Sequence, residues 1–575
     1  MKDTYPRPQF RRKQWQNLNG EWQFAFDDDN VGLKDKWYTK NDLPQAQTIN
    51  VPFCVQSELS GIENKKDHPI LWYKTSFTPN ENNGRTILNI GAIDYISNLY
   101  INGNHVKTHK GGNVGFSVDI TEYMIHEKVN TLHIRVFDDM HDIEIPRGKQ
   151  FWKEESENIF YTRTSGIWQT IWLESIPTNY IKRIKVIPDI LSNAVKIGYY
   201  LNLDGEADLK TTIKFNDEIV NENVKKVDND YYEMVHYLGK NNDQGENRFW
   251  SPEHPNLYDI ELTLTTNQVD TVQSYFGMRK IAVENGQIML NNHPYYMRLV
   301  LDQGYYPESL MTAPNDEAIQ RDITLTKKMG FNGVRKHQKI EEERYLYYAD
   351  TMGLLVWEEM PSAYKFSSRA MQNLTDEWQR IIDRDYNHPS IVAWVPINES
   401  WGIPNLIASK REIHFLESLY HLTKAKDDTR LVISNDGWEH GTTDLLTVHD
   451  YEPSYIALKE RYKDTQTILT SLPGHHLLLN QGFSYNGEPI LVTEFGGISF
   501  QNDNQDGWGY STATSVKDFE KRVKAVFDAM YDSPLVKGIC YTQLTDIEQE
   551  INGLLTYHRE PKISLEAIKK IVENH

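Results

Sequence analysis

The chain has 575 residues, too many for one hydrophobic core, so about two to four domains are expected. A formal charge of −20 with no polybasic block disfavours nucleic acid and anionic membrane as partners. Cys54 and Cys540 are the only cysteines, which excludes a disulfide framework and a cysteine-rich metal site. The opening MKDTYPRPQFRRKQW has no apolar signal-peptide core, and no run of about 18 apolar residues follows, so a cytoplasmic location is expected. The 14 Trp and 33 Tyr are a large aromatic supply, suited to stacking on sugars as well as to filling cores.

Residues 1–180 read as all-β. LWYKTSFTP, RTILNIGAID, ISNLYINGNHV and NTLHIRVFDD are short alternating runs between Gly, Asn and Asp turns. Asn102-Gly103 is the strongest hairpin signal among them. These features predict a β-sandwich closing with GIWQTIWLESIP. Residues 181–282 repeat the β character in a smaller unit, whose strand spacing fits an immunoglobulin-like sandwich without its disulfide.

From residue 283 to 575 strand and helix patterns alternate. The strands are YYMRLVLD, FNGVRKH, LLVWEEM, IVAWVPINE, RLVISND, LLTVHDY, PILVTEF and VKGICYTQL. Eight such units predict a closed (β/α)₈ barrel, and the absence of a GxGxxG or Walker sequence argues against a nucleotide-binding open sheet. The expected architecture is therefore multidomain, two β-sandwiches followed by an α/β barrel.

Two of these strands end in carboxylates. IVAWVPINESW stops at Asn398-Glu399, the end of the fourth strand, and PILVTEFGG stops at Glu494, the end of the seventh. Polar residues at the carboxyl ends of barrel strands are where barrel chemistry sits. In a closed barrel these two ends face one another across the mouth. One carboxyl can then protonate a leaving oxygen while the other attacks an anomeric carbon, provided that they lie roughly 5–5.5 Å apart. Salt bridges to barrel arginines are the bland alternative.

WVPINES and ILVTEFGG resemble the acid/base and nucleophile signatures of glycoside hydrolase family 2. TSGIWQTIWLE, FNGVRKHQ and RDYNHPSIVAWVPINES extend the resemblance over essentially the whole chain. It implies an N-terminal jelly-roll sugar-binding-like domain, an immunoglobulin-like domain and a catalytic barrel. It also implies that Glu399 is the acid/base, that Glu494 is the nucleophile and that configuration is retained. The family's oligomers imply a homodimer or homotetramer. A non-catalytic carbohydrate-binding protein is the alternative of another class.

Other strand ends supply candidate sugar contacts: Asp302, Arg335, His337, Asn398, Trp438, Tyr451 and Tyr541. The resemblance gives Arg335 a role beside the nucleophile and Tyr451 a touch on it. Galactosidases of the family often hold magnesium, but LDQGYYP and EEMPSAY lack the expected ligands, so no metal and no cofactor are expected.

Glucuronidases of the family hold the sugar carboxylate with an Asn-x-Lys pair after the last strand. Here those places fall on Glu550 and Asn552, and a glutamate there argues against a uronate. Arg559 is the nearby residue able to rescue an acidic substrate. A first-domain aspartate of the family falls at Phe160, with Glu157 close by. These departures give the expectation of a neutral terminal sugar, a β-galactoside first, with an α-L-arabinoside, β-mannoside or β-xyloside behind it and a β-glucuronide or galacturonide last.

Overall fold

The structure is a computed structural model that describes residues 4–80, 84–125, 127–239, 248–500 and 507–574. The first unit is a sandwich of a six-stranded and a four-stranded sheet. Its inner faces follow from period-two patterning. In Asn130–Phe137, for example, Leu132, Ile134 and Val136 point into a core shared with Leu88, Leu99 and Leu173. Asn102 and Gly103, at φ 50° and 81°, make the two-residue turn between Ile96–Ile101 and Asn104–Lys110. The second unit packs a three-stranded sheet against a four-stranded one around Val195, Ile197, Leu209, Ile213 and Leu262.

One stretch of the first unit leaves its sandwich. After Asn130–Phe137 the chain runs over the barrel before returning at Gly166–Ile167. Arg147 and Gly148 both donate their backbone N–H to Ser362 O at 3.1 Å, and Tyr364 N donates to Ile143 O at 2.9 Å. Gly148 sits at φ 59°, and a Cβ there would lie 2.5 Å from Gln338 O. Only glycine lets this loop lie so close to the barrel mouth.

The barrel strands are β1 (Met297–Asp302), β2 (Gly333–Lys336), β3 (Leu355–Glu359), β4 (Ile391–Val395), β5 (Leu431–Val432), β6 (Leu446–Asp450), β7 (Ile490–Gly496) and β8 (Val536–Thr542). They form one eight-stranded sheet in the order β5-β4-β3-β2-β1-β8-β7-β6. Where β5 and β6 meet, His449 N donates to Gly437 O at 3.3 Å. Helices follow strands as the alternation implies, among them Asp316–Lys328, Glu343–Met352, Ser368–Asp385 and Lys410–Lys426. Asn315, Ser367 and Ser409 cap three of these through side-chain oxygens. No helix among the described residues is long and apolar enough to cross a membrane.

Register decides which side chains reach the site. Leu301, Arg335, Trp357 and Ala393 stand side by side in one layer. Leu301, Trp357 and Ala393 belong to the cluster that fills the barrel interior. The next layer, Asp302, Lys336, Glu358 and Trp394, therefore points outward, to the helices.

Candidate active site

Glu399 and Ser400 have positive φ, 50° and 58°, a costly conformation for residues with a Cβ. Neighbouring backbone holds it in place. Glu399 N donates to Asp436 O at 2.9 Å, and Ser400 N donates to Asn435 Oδ1 at 2.9 Å. The bend turns Glu399 into the mouth, where its side chain stays 18% exposed. Glu494 reaches the same space by another device. The β7 ladder shifts register between Val492 and Phe495, so Thr493 bonds Asp436 while Glu494 still faces the mouth. Glu494 Oε1 accepts from Arg335 Nη1 at 2.8 Å, and Oε2 accepts from the Tyr451 hydroxyl at 2.6 Å.

His449 stands between the two carboxylates. Its Nδ1 is 2.7 Å from Glu399 Oε1 and 3.5 Å from Glu494 Oε2, and its Nε2 is 3.3 Å from Asp436 Oδ2. Burial disfavours the imidazolium, but Glu494, Asp436 and Glu399 outweigh it and push its pKa up to about 10. Burial likewise raises the Glu399 carboxyl, yet the hydrogen bond and charge of His449, then Lys149 and Arg335, bring it below the ordinary value. The proton of this pair therefore rests on His449, one hydrogen bond from Glu399. Arg335 is fully buried and pairs with Glu359, Asp436 and Glu494 at 2.6, 2.9 and 2.8 Å. Those charges make it a fixed support behind Glu494.

The candidate residues divide sharply. Asn398 accepts from Arg335 Nη2 at 2.6 Å, and its buried Nδ2 has no partner in the protein, leaving a donor for a sugar hydroxyl beside Glu399. His337 pairs with Glu359 at 2.9 Å on the inward face of the β2 end. Trp438 stacks on His476 at 4.2 Å and lies edge-on to His449 at 5.6 Å, so it backs the site. Tyr451 bonds the nucleophile candidate and stacks on Tyr510.

Three expectations of sugar contact need correction. Asp302 points outward and is tied to Lys336 at 2.7 Å and to Gly304 N at 2.8 Å, and Gln303 takes the inward place. Tyr541 lies opposite Val300 and packs against Phe495 and Phe527 under a helix, away from the mouth. Arg335, with no exposed surface, touches Glu494 in place of sugar. Arg559 binds Asp322 at 3.1 Å, far from both glutamates in role, and is not a spare cation.

Sequence reasoning passed over three features. His449 was one of several polar residues at the end of β6, and a register shift before it hid its direction. Lys149, only 8% exposed, comes from the first unit's loop and lies 5.0 Å from the Trp401 ring. Its ammonium makes no ion pair or hydrogen bond among the described residues, while its charge acts on Glu399, His337 and Glu550. Trp152, Phe160, Tyr364 and Trp401 form a ring of aromatic contacts at 4.9 to 5.6 Å.

Glu550 is where the sequence put it, buried near the site. Its oxygens accept from Tyr161 Oη at 2.5 Å and Asn552 Nδ2 at 3.0 Å. Burial pushes its carboxyl up, against the pull of Lys149. Glu399, His449 and Glu494 have ligand atoms within 4.8 Å of one another and could also grip a cation, but an ion there would fill the space between the two carboxylates.

This geometry fits what comparison with known proteins finds. Residues 15–177 match the sugar binding domain of glycosyl hydrolases family 2, residues 179–279 match a further model of glycosyl hydrolases family 2, and residues 281–575 match its TIM barrel domain. The chain belongs to glycoside hydrolase family 2. Its jelly-roll, immunoglobulin-like and barrel architecture is that of the family, and it is a glycoside hydrolase. It is 23% identical to a beta-glucuronidase of Paenibacillus borealis, covering 96% of each chain, and 22% identical to that of Rattus norvegicus, covering 85% of this chain and 78% of the relative. A Thermoanaerobacter pseudethanolicus beta-galactosidase is 25% identical over 67% of this chain and 52% of its own. The solved beta-glucuronidase of Ruminococcus gnavus with D-glucuronic acid superposes with a TM-score of 0.78 at 18% identity, over 100% of both chains. The expectation of a β-galactosidase is therefore corrected, because the relatives matched along most of the chain are beta-glucuronidases.

Proposed function

We propose that this family 2 enzyme is a retaining exo-β-glycosidase of terminal β-D-uronides, glucuronides first. The observation that carries the mechanism is that carboxylate oxygens of Glu399 and Glu494 lie within 4.8 Å. A pair of oxygens that close is in keeping with the roughly 5–5.5 Å between the carboxyl groups of retaining enzymes and shorter than the roughly 6.5–9.5 Å of inverting ones. Glu494 attacks the anomeric carbon as the glycosidic C–O bond breaks. Glu399 gives the leaving oxygen a proton, drawn from the His449 pair. A water then attacks the same carbon, Glu399 takes its proton, and the bond to Glu494 opens. Arg335 and Tyr451 fix Glu494 for both steps. Asn398 offers its free Nδ2 to the adjacent hydroxyl.

The uronide reading draws on the beta-glucuronidases among the relatives and on two residues of this chain. Lys149 brings to the mouth a cation that pairs with no carboxylate among the described residues, in a site whose other cations are bound to carboxylates. Glu550, the residue that argued against a uronate, has a carboxyl raised by burial, and a second carboxylate beside it favours its neutral form further. Each step toward that neutral form weakens the repulsion that an ionised Glu550 exerts on a uronate. The test is a panel of nitrophenyl glycosides at neutral pH. A β-glucuronide or β-galacturonide is expected to exceed every neutral member in kcat/KM by about tenfold or more. A neutral glycoside ahead of both uronides overturns the reading.

A further inference from the structure

A cavity of about 550 Å³ opens on one side of Glu399, lined by Ile143, Trp152, Phe160, Tyr364, Trp401 and Pro404 among others. Neither Glu494 nor Tyr451 lines it. It therefore lies on the side of the acid/base from which a leaving group departs, beyond the space where the reacting sugar meets the nucleophile.

Its walls are rings at steep angles. Trp152 meets Phe160 at 62°, Phe160 meets Tyr364 at 66° and Tyr364 meets Trp401 at 71°. All four rings are only partly buried, so apolar surface faces the empty space. The first unit supplies Trp152 and Phe160, and the barrel supplies Tyr364 and Trp401. Part of the polar lining is already engaged. Glu439 accepts from Ser400 Oγ at 2.6 Å and pairs with His476 Nδ1 at 2.9 Å. A second sugar would also stack on these rings, but each of its hydroxyls left facing an aromatic wall would be an unmet hydrogen bond. A flat, uncharged ring system meets aromatic faces and needs little else, and a volume in the usual range of small-molecule sites holds two fused rings.

We infer that this cavity is a leaving-group subsite for a flat, uncharged aromatic aglycone, so that the enzyme acts on small aromatic glycosides in preference to the ends of sugar chains. The inference rests on Glu399 being the acid and is independent of which sugar is cleaved. Phe160, which stands where the family resemblance places an aspartate, then serves the leaving group.

The test compares two substrates that share the glycone best cleaved in the panel: a 2-naphthyl glycoside and a disaccharide. The wild-type kcat/KM is expected to favour the naphthyl compound, and free 2-naphthol is expected to inhibit competitively at millimolar or lower concentration. Trp152→Ala and Phe160→Ala, checked for native circular dichroism, are each expected to lower the naphthyl-to-disaccharide ratio about tenfold. Tyr364→Phe, which keeps the ring, is expected to preserve that ratio. Preference for the disaccharide, no competition by 2-naphthol, or equal losses on both substrates overturns the inference. Covalent labelling of Glu399 in place of Glu494 would remove its premise separately, whatever the ratio.

Discussion

A histidine 2.7 Å from one carboxylate and 3.5 Å from another keeps its proton far above neutral pH. With its pKa pushed up to about 10, His449 is the proton store of the pair, and Glu399, held low, is its acceptor. On the proposed mechanism activity needs one proton on this pair, so the alkaline limb of kcat/KM is expected to follow its loss as pH rises toward 10. In His449→Gln that proton must sit on Glu399 itself. Burial and the Glu494 charge then hold it in a raised carboxyl range. The alkaline limb is expected to move down by at least about two pH units. An unmoved limb in a folded variant would count against the pair. The two glutamates were legible because each ends an apolar strand in a carboxylate. Asp302 and Tyr541 were misread because side chains alternate, and a strand end named from sequence leaves the inward parity open by one residue. Bulges before His449 and Glu494 break that parity locally, which no periodicity reveals.

The element that completes the site is the loop between Phe137 and Gly166. Its sequence has neither helical nor strand period, so its place on the barrel could not be read in advance. Gly148 is the only local sign, and its meaning comes from Gln338, far away in sequence. The loop carries Lys149 and two of the four aromatic walls. In Lys149→Met, which keeps length and apolar stem, kcat/KM on a uronide is expected to fall about a hundredfold, the loss of one buried charge-assisted contact. A neutral glycoside of the same aglycone is expected to lose far less. Equal losses on both in steady-state assays would make Lys149 a support of Glu399 and not a receptor for the sugar carboxylate.

At the scale of the molecule, the eight barrel strands were legible because each is apolar along its length and followed by a helical pattern. How the units lock together was not, since the contacts join residues hundreds of positions apart. Arg12 bonds Glu174 in the first sandwich at 3.1 Å and Asp270 in the second at 2.9 Å, and Arg7 reaches Glu174 at 2.9 Å. Burial works to raise the Glu174 carboxyl, but Arg7 and Arg12 outweigh it and lower its pKa to about 2. A carboxyl depressed in the folded state adds stability above its ordinary value of 4.5 and loses it as pH falls through about 2. Glu174→Ala leaves two arginines without this partner and is expected to cost roughly 3–5 kcal/mol in denaturant unfolding at pH 7. The variant's stability is expected to depend less on pH between 4.5 and 2 than the wild type's. A cost under about 1 kcal/mol, typical of an exposed pair, would show that the joint adds little.

On the proposed mechanism Glu494 attacks sugar while Glu399 handles the proton. Incubation with a 2-deoxy-2-fluoro glycoside carrying a good leaving group slows release of the covalent intermediate, and peptide mass spectrometry locates the bound sugar. One fluorosugar per chain is expected, esterified to Glu494 in the peptide containing PILVTEFGG. A label on Glu399, or full turnover with an inverted first-formed product and no label, would contradict it.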